Sequence, residues 1–193
     1  MMDLYSKHTN PETLYGYKDR FEIPSFAYEE ARLTGEWTEA EPYIMKDPKY
    51  AYLYARDIRK KGRWPEAEPY IMKDPYSAYW YARYVIEGRF PEAEPYIMKD
   101  PEYAYEYAGG VMGNRWSEAE PYIMKDPKYA YFYAMYVMER RWPEAEPYIM
   151  KSPEYASMYA RDIRKKGRWP EAEPYIMKDP ESASKYKAFI RTL

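Results

Sequence analysis

Two groups of side chains in this sequence have the types and spacing to do chemistry. The first is a pair of carboxylates, Glu-Ala-Glu, which recurs as Glu39/Glu41, Glu66/Glu68, Glu92/Glu94, Glu118/Glu120, Glu144/Glu146 and Glu171/Glu173. Paired carboxylates act as general acid and base, or hold a hard cation, when their surroundings separate their pKa values. Six equal copies argue against that use, because an active site needs one convergent, unequal constellation. The same glutamates have a structural role at the positive start of a helix. His8 is the only histidine, and in its divergent N-terminal segment it reads as a surface residue rather than a base. Cys is absent, which removes disulfides, thiolate metal sites and cysteine nucleophiles. No Gly-rich phosphate loop, HExxH helix or EF-hand loop occurs. These residues point away from an enzyme and call for no cofactor or metal.

The second group is basic and aromatic. Arg59-Lys60-Lys61-Gly62-Arg63 recurs as Arg164-Lys165-Lys166-Gly167-Arg168. Such clusters contact phosphates in single-strand binders, where exposed rings stack on the bases. Their plainer role is to complement the negative end of a helix. Glutamates flank each cluster, and 30 basic against 32 acidic residues leave a net charge of −2, so no strong field gathers for a polyanion. Binding of nucleic acid or nucleotides therefore stands as the competing class, below protein binding.

A tandem repeat positions these residues. The octapeptide EAEPYIMK occurs six times unchanged between Glu39 and Lys178. An aromatic residue stands two positions ahead of each copy (Trp37, Trp64, Phe90, Trp116, Trp142, Trp169), at spacings of 27, 26, 26, 26 and 27. A fixed period of this size marks a solenoid, in which each unit buries its apolar face only against its neighbours. The segment Tyr54 to Pro75 recurs identically at Tyr159 to Pro180, so sameness between repeats reflects duplication as readily as constraint. The positions that differ carry more information.

Within one unit, Pro65 suits the first turn of a helix, and that helix ends near Lys73 because Asp74 precedes Pro75. Asp74 is placed to cap a second helix that begins at Pro75 and runs to about Glu87, with Gly88 as its stop. The unit is expected to be a hairpin of a helix of roughly 8 residues and one of roughly 13. No segment alternates as a strand would. The expected fold is all-α: an α-solenoid of about six helical hairpins with capping helices at both ends. Its expected organisation is one continuous domain, with a divergent helical cap over 1–36, repeats over 37–178 and a capping helix over 179–193.

Numbered from its proline, the second helix places positions 4, 7, 8 and 11 on one stripe, as in Ala78, Tyr81, Ala82 and Val85. The tyrosines of this stripe read as core packing in preference to a ligand-stacking surface. In the last repeat positions 3, 5 and 8 become Ser182, Ser184 and Lys187, which implies that these positions normally face the following repeat. Positions 2, 6 and 10 lie opposite the stripe and vary. They include Leu53, then Tyr76, Trp80 and Tyr84, then Phe132 and Tyr136, then Met158. Position 9 flanks them with Arg56, Arg83, Met135 and Arg161. Large aromatic and apolar groups on a face turned to water, interspersed with arginine, form the composition of a binding surface. The competing reading is drift on a tolerant surface, or burial of this face by superhelical curvature. The third repeat differs again, with Gly109, Gly110 and Gly113 in its second helix, a soft spot or a place of close backbone approach.

The unit Trp-Pro-Glu-Ala-Glu-Pro-Tyr-Ile-Met-Lys-Asp-Pro followed by Ala-Tyr-x-Tyr-Ala-Arg resembles the Tyr-rich short helical repeats encoded by tailed phages and large DNA viruses. The resemblance runs from Trp37 to about Ala188. It implies a viral source and an intracellular role directed at a host protein, and it transfers no catalytic residues. Cytoplasmic residence is the matching expectation: the chain has no run of about 18 apolar residues and no leader-like start, so no membrane partner is expected.

Overall fold

The computed structural model describes residues 22–165 and 168–192; His8, Lys166 and Gly167 lie outside them. Every regular element among the described residues is helical, in agreement with the all-α solenoid expected from the repeats. The described residues up to Ala93 form one compact unit and the described residues from Glu94 a second.

Each repeat is a short helix followed by a longer one. The first helix is α-helical over four residues only, as in Glu68–Ile71 and Glu120–Ile123. It is shorter than expected because Pro69 has no N–H to close the turn before it. The flanking turns use tighter bonds instead, such as the Ala67 N–H to Trp64 C=O at 3.0 Å and the Lys73 N–H to Tyr70 C=O at 3.2 Å. Asp74 then caps the second helix as expected: its backbone is extended and its carboxylate accepts from the Ser77 N–H at 2.9 Å. Asp47, Asp100, Asp126 and Asp179 do the same in their repeats. Ser152 holds the corresponding place without a side-chain bond.

The second helices end differently from the expectation. Pro75–Tyr81 is α-helical, and Ala82–Ile86 widens into a π-helical turn. The stop is Glu87, left-handed at φ 56, rather than Gly88. The same position is left-handed in Lys60, Gly113, Glu139 and Lys165. A wide bond closes the end, from the Gly88 N–H to the Ala82 C=O at 3.1 Å and from the Asn114 N–H to the Ala108 C=O at 3.2 Å. Gly113 is thereby accounted for, since its φ of 64 suits glycine. Gly109 does not mark a close backbone approach: a Cβ there would meet only the Val137 Cγ2 at 3.6 Å, ordinary contact.

The core follows the expected stripe at positions 4, 7 and 8. Ala78, Tyr81 and Ala82 are fully buried, as are Ala130, Tyr133 and Ala134 in the second unit. Position 11 is only half-buried, at Val85 inside the widened turn and at Val137 just past the last α-helical residue, Tyr136. Neighbouring repeats meet through tyrosine rings, Tyr105 on Tyr129 at 6.3 Å and Tyr131 on Tyr155 at 6.0 Å. These pairs join position 5 of one repeat to position 3 of the next. Position 3 therefore faces the preceding repeat, which corrects the reading from the terminal serines. Ser182 stays buried and its C=O accepts from Ser157 Oγ at 3.4 Å, whereas Ser184 and Lys187 are exposed.

Candidate functional site

The second carboxylate of the recurring pair is engaged in a structural clamp, while the first is exposed. The aromatic residue that opens a repeat donates its backbone N–H to the position 7 tyrosine, from Trp116 to Tyr133 Oη at 2.7 Å and from Trp142 to Tyr159 Oη at 2.7 Å. Trp64 and Tyr81 are bonded in the same way. The tyrosine hydroxyl donates onward to the second glutamate of the pair, Tyr81 to Glu68 at 3.0 Å and Tyr133 to Glu120 at 3.2 Å. An arginine grips that glutamate with two parallel bonds: Arg63 to Glu68 at 2.8 and 2.6 Å, and Arg141 to Glu146 at 2.6 and 2.8 Å. Burial pushes the Tyr133 hydroxyl up to about 12, against a lowering contribution from the Trp116 N–H. These groups close a network inside the repeats that carry the arginine; in repeat one Glu36 stands in the arginine's place, five residues ahead of Glu41.

The basic clusters serve the same network. Arg59 lies over the Trp64 ring at 4.7 Å, with Nε 3.7 Å from Glu41 and 3.9 Å from Glu36. Arg164 lies over Trp169 at 4.8 Å and pairs with Glu146 at 2.8 Å. Arg63 and Arg168 bond Glu68 and Glu173, and Lys61 pairs with Glu36 at 2.5 Å. Lys60 and Lys165 occupy the left-handed helix ends. The arginines singled out as phosphate ligands are thus engaged with internal carboxylates. A shallow cavity of about 510 Å³ between the helix ends of repeats three and four holds Arg115 and Arg140, of which Arg115 is tied to Glu120.

On the variable face of the first unit, Tyr76, Trp80 and Tyr84 form one aromatic cluster. Trp80 stacks on Tyr84 at 5.3 Å with planes 5° apart, and Tyr76 meets it edge-on at 6.2 Å. Tyr76 and Tyr84 are 39% and 50% exposed, while Trp80 is half-buried and its indole N–H is enclosed without a hydrogen-bond partner. Such an orphan donor costs about 1–3 kcal/mol. Arg83 sits 5.8 Å over the Tyr84 ring. Leu53 is half-buried. Arg56 turns inward, pairing with Asp57 at 2.6 Å and lying 5.1 Å over the Tyr52 ring.

In the second unit Phe132 is half-buried among Tyr105 at 6.0 Å, Tyr155 at 6.3 Å and Tyr136 at 6.1 Å. Tyr136 is 60% exposed, and Met135 and Met158 are half-buried. Arg161 pairs with Asp162 at 2.6 Å, and Asp162 accepts from Tyr131 Oη at 2.8 Å. The outermost aromatics are therefore at positions 2 and 10. Position 6 is half covered, because the position 5 ring of the preceding repeat and the position 3 ring of the following one both lean on Phe132.

Sequence reasoning missed the clamp. Its signal is the arginine five residues ahead of the second glutamate (Arg63, Arg89, Arg115, Arg141, Arg168) and the constant 17-residue step from opening aromatic to tyrosine. It also missed the links from position 5 to position 10, Tyr28 to Asp57 at 2.9 Å and Tyr131 to Asp162. Among the described residues no three His, Asp or Glu side chains are grouped to hold a metal, and no helix is long and apolar enough to cross a membrane. Comparison with protein-family models, curated proteins and solved structures finds no match to this chain.

Proposed function

We propose that this chain is a non-enzymatic repeat scaffold that binds a protein partner through the variable aromatic face of its second helices. The observation that carries the reading is the exposure of Tyr76, Tyr84 and Tyr136 at positions outside the buried stripe. Burial at positions 4, 7 and 8 and ring contacts between positions 5 and 3 hold the repeats together, so these exposed rings contribute least to folding. Tyrosine, tryptophan and arginine are the residues that carry most binding energy at interfaces, and Trp80, Tyr84 and Arg83 stand together in this cluster. The internal pairing of Arg59, Arg63, Arg164 and Arg168 favours a protein over nucleic acid as the partner. The resemblance to viral Tyr-rich repeats adds a finer proposal: a host defence protein engaged or inhibited in the host cytoplasm.

The test is capture from cell extract by the immobilised chain, beside a variant carrying Tyr76→Gln, Tyr84→Gln and Tyr136→Gln. The expected result is a protein retained by the parent chain and lost by the variant. Equal retention by a folded variant, or retention of nucleic acid in place of protein, overturns the reading.

A further inference from the structure

The cavity at the helix ends of repeats three and four is lined by Gly113, Asn114, Arg115, Val137, Met138 and Arg140. It opens where a side chain is missing. The left-handed residue that ends a second helix is Lys60, Glu87, Glu139 or Lys165 in four repeats, and Gly113 in the third. A Cβ placed on Gly113 would meet nothing within 4 Å, so the room that a side chain takes in the other repeats stays open here.

Arg140 gives the cavity its charge. It stands one residue ahead of the clamp arginine Arg141, at a place held by Gly88 in repeat two and Asn114 in repeat three. Arg141 is taken by Glu146 at 2.6 Å and Arg115 by Glu120 at 2.8 Å. Arg140 is exposed and pairs with no carboxylate among the described residues. No carboxylate lines the cavity either. Glu139 and Glu118 are exposed and stand off the lining, and Glu120 is held by Arg115 and the Tyr133 hydroxyl. Asn114 donates one amide N–H to the Met112 C=O at 3.2 Å, which leaves its second amide hydrogen to give. Val137 and Met138, both half-buried, add an apolar wall.

We propose that this cavity binds a monocarboxylate carried on a short apolar stem. The carboxylate lies on the Arg140 guanidinium and the Asn114 amide, and the stem lies on Val137 and Met138. A guanidinium fork meets a carboxylate with two parallel bonds. Only one positive charge in the lining is unmet by a carboxylate, which suits a monoanion better than a phosphate dianion. A free small acid and the C-terminus of a peptide both present this group. The cavity sits at helix ends, away from positions 2, 6 and 10, so the inference stands independently of the partner-binding reading.

The test is a ligand-detected NMR titration of the full chain with hexanoate, hexylammonium, a short apolar peptide with a free C-terminus and the same peptide amidated. Hexanoate or the free-ended peptide is expected to bind, and hexylammonium and the amide are not. Glutamate already ends the second helix of repeats two and four, so Gly113→Glu keeps the fold and brings an internal carboxylate to the cavity. Gly113→Glu and Arg140→Gln are each expected to weaken binding about tenfold. Lys187→Gln, an exposed change of the same charge on the last helix, should leave it unchanged. The thermal transition of each variant checks its fold. Binding of hexanoate alone assigns the cavity to small acids, and binding of the free-ended peptide alone assigns it to a chain end. Failure of both to bind the parent chain, or equal binding by Arg140→Gln, overturns the site.

Discussion

Glu146 and Glu41 occupy the same place in two repeats, yet their neighbours give them opposite acidities. Burial raises the Glu146 carboxyl, but Arg141 and Arg164 outweigh it and hold the group below the usual carboxylate range. At Glu41 burial wins, because its one arginine, Arg59, stands off at 3.7 Å, and the carboxyl is raised. A carboxyl depressed in the folded state adds stability above its unfolded pKa, and that contribution is lost as pH falls through the folded value. Asp57 beside Arg56 and Glu173 beside Arg168 shift the same way as Glu146. Glu41 has the reverse sign and gains as it protonates. The depressed groups outnumber it, so stability is expected to fall below about pH 4.3. Glu146→Gln should cost about 1–3 kcal/mol at neutral pH and make the acid decline shallower. Its exposed neighbour Glu144→Gln should cost no more than about 0.5 kcal/mol. Urea unfolding at neutral and acid pH checks both. The pairing behind these shifts was hidden in the sequence, because the clamp joins an arginine, a glutamate and a tyrosine drawn from three segments of the repeat.

At the scale of the helix, proline and aspartate made the hairpins legible. Asp74-Pro75 ends one helix and caps the next by local sterics and a local hydrogen bond, so position in the chain decides the outcome. Helix ends were not legible in the same way. The left-handed residue is Lys60, Glu87, Glu139 or Lys165 in four repeats and glycine in only one, so glycine was a misleading marker. The backbone bonds that close these helix ends, such as the Lys60 N–H to the Ala55 C=O at 3.1 Å and the Gly88 N–H to the Ala82 C=O at 3.1 Å, hold these residues against their local preference. Replacing Glu87 by glycine should therefore stabilise the chain by about 0.5–1 kcal/mol, less than the full left-handed penalty because glycine also loses more freedom on folding. Denaturant titration decides it, and a destabilised Glu87→Gly variant would mean that the glutamate side chain, not the turn, matters there. The terminal serines misled for a related reason: Ser182 is small rather than outward, packed beneath Ser157.

For the whole molecule, the division between constant and variable positions separates folding from recognition. Removing Trp169 to Leu193 uncovers Ser157, Tyr159 and Ala160, which are buried in the intact chain, where Tyr159 packs on Trp169 at 5.5 Å. The truncated protein is expected to aggregate or lose solubility, and light scattering after purification reports it; a soluble monomer with an unchanged Tm would contradict the capping role. The aromatic face was legible because its residues vary where the repeats are otherwise copied. Which of its rings stand outermost was not, because ring packing decides how far they sink, within its own repeat for Trp80 and between repeats for Phe132. The central claim is that the outermost rings do no work in folding. The unfolding free energy of the variant with Tyr76→Gln, Tyr84→Gln and Tyr136→Gln tests it, with Tyr133→Ala as the contrast. Each face substitution is expected to change stability by no more than about 0.5 kcal/mol, and Tyr133→Ala, which empties a core site, to cost about 3–5 kcal/mol. A triple variant that unfolds, or loses as much stability as Tyr133→Ala, would make this face core and contradict its assignment to a partner.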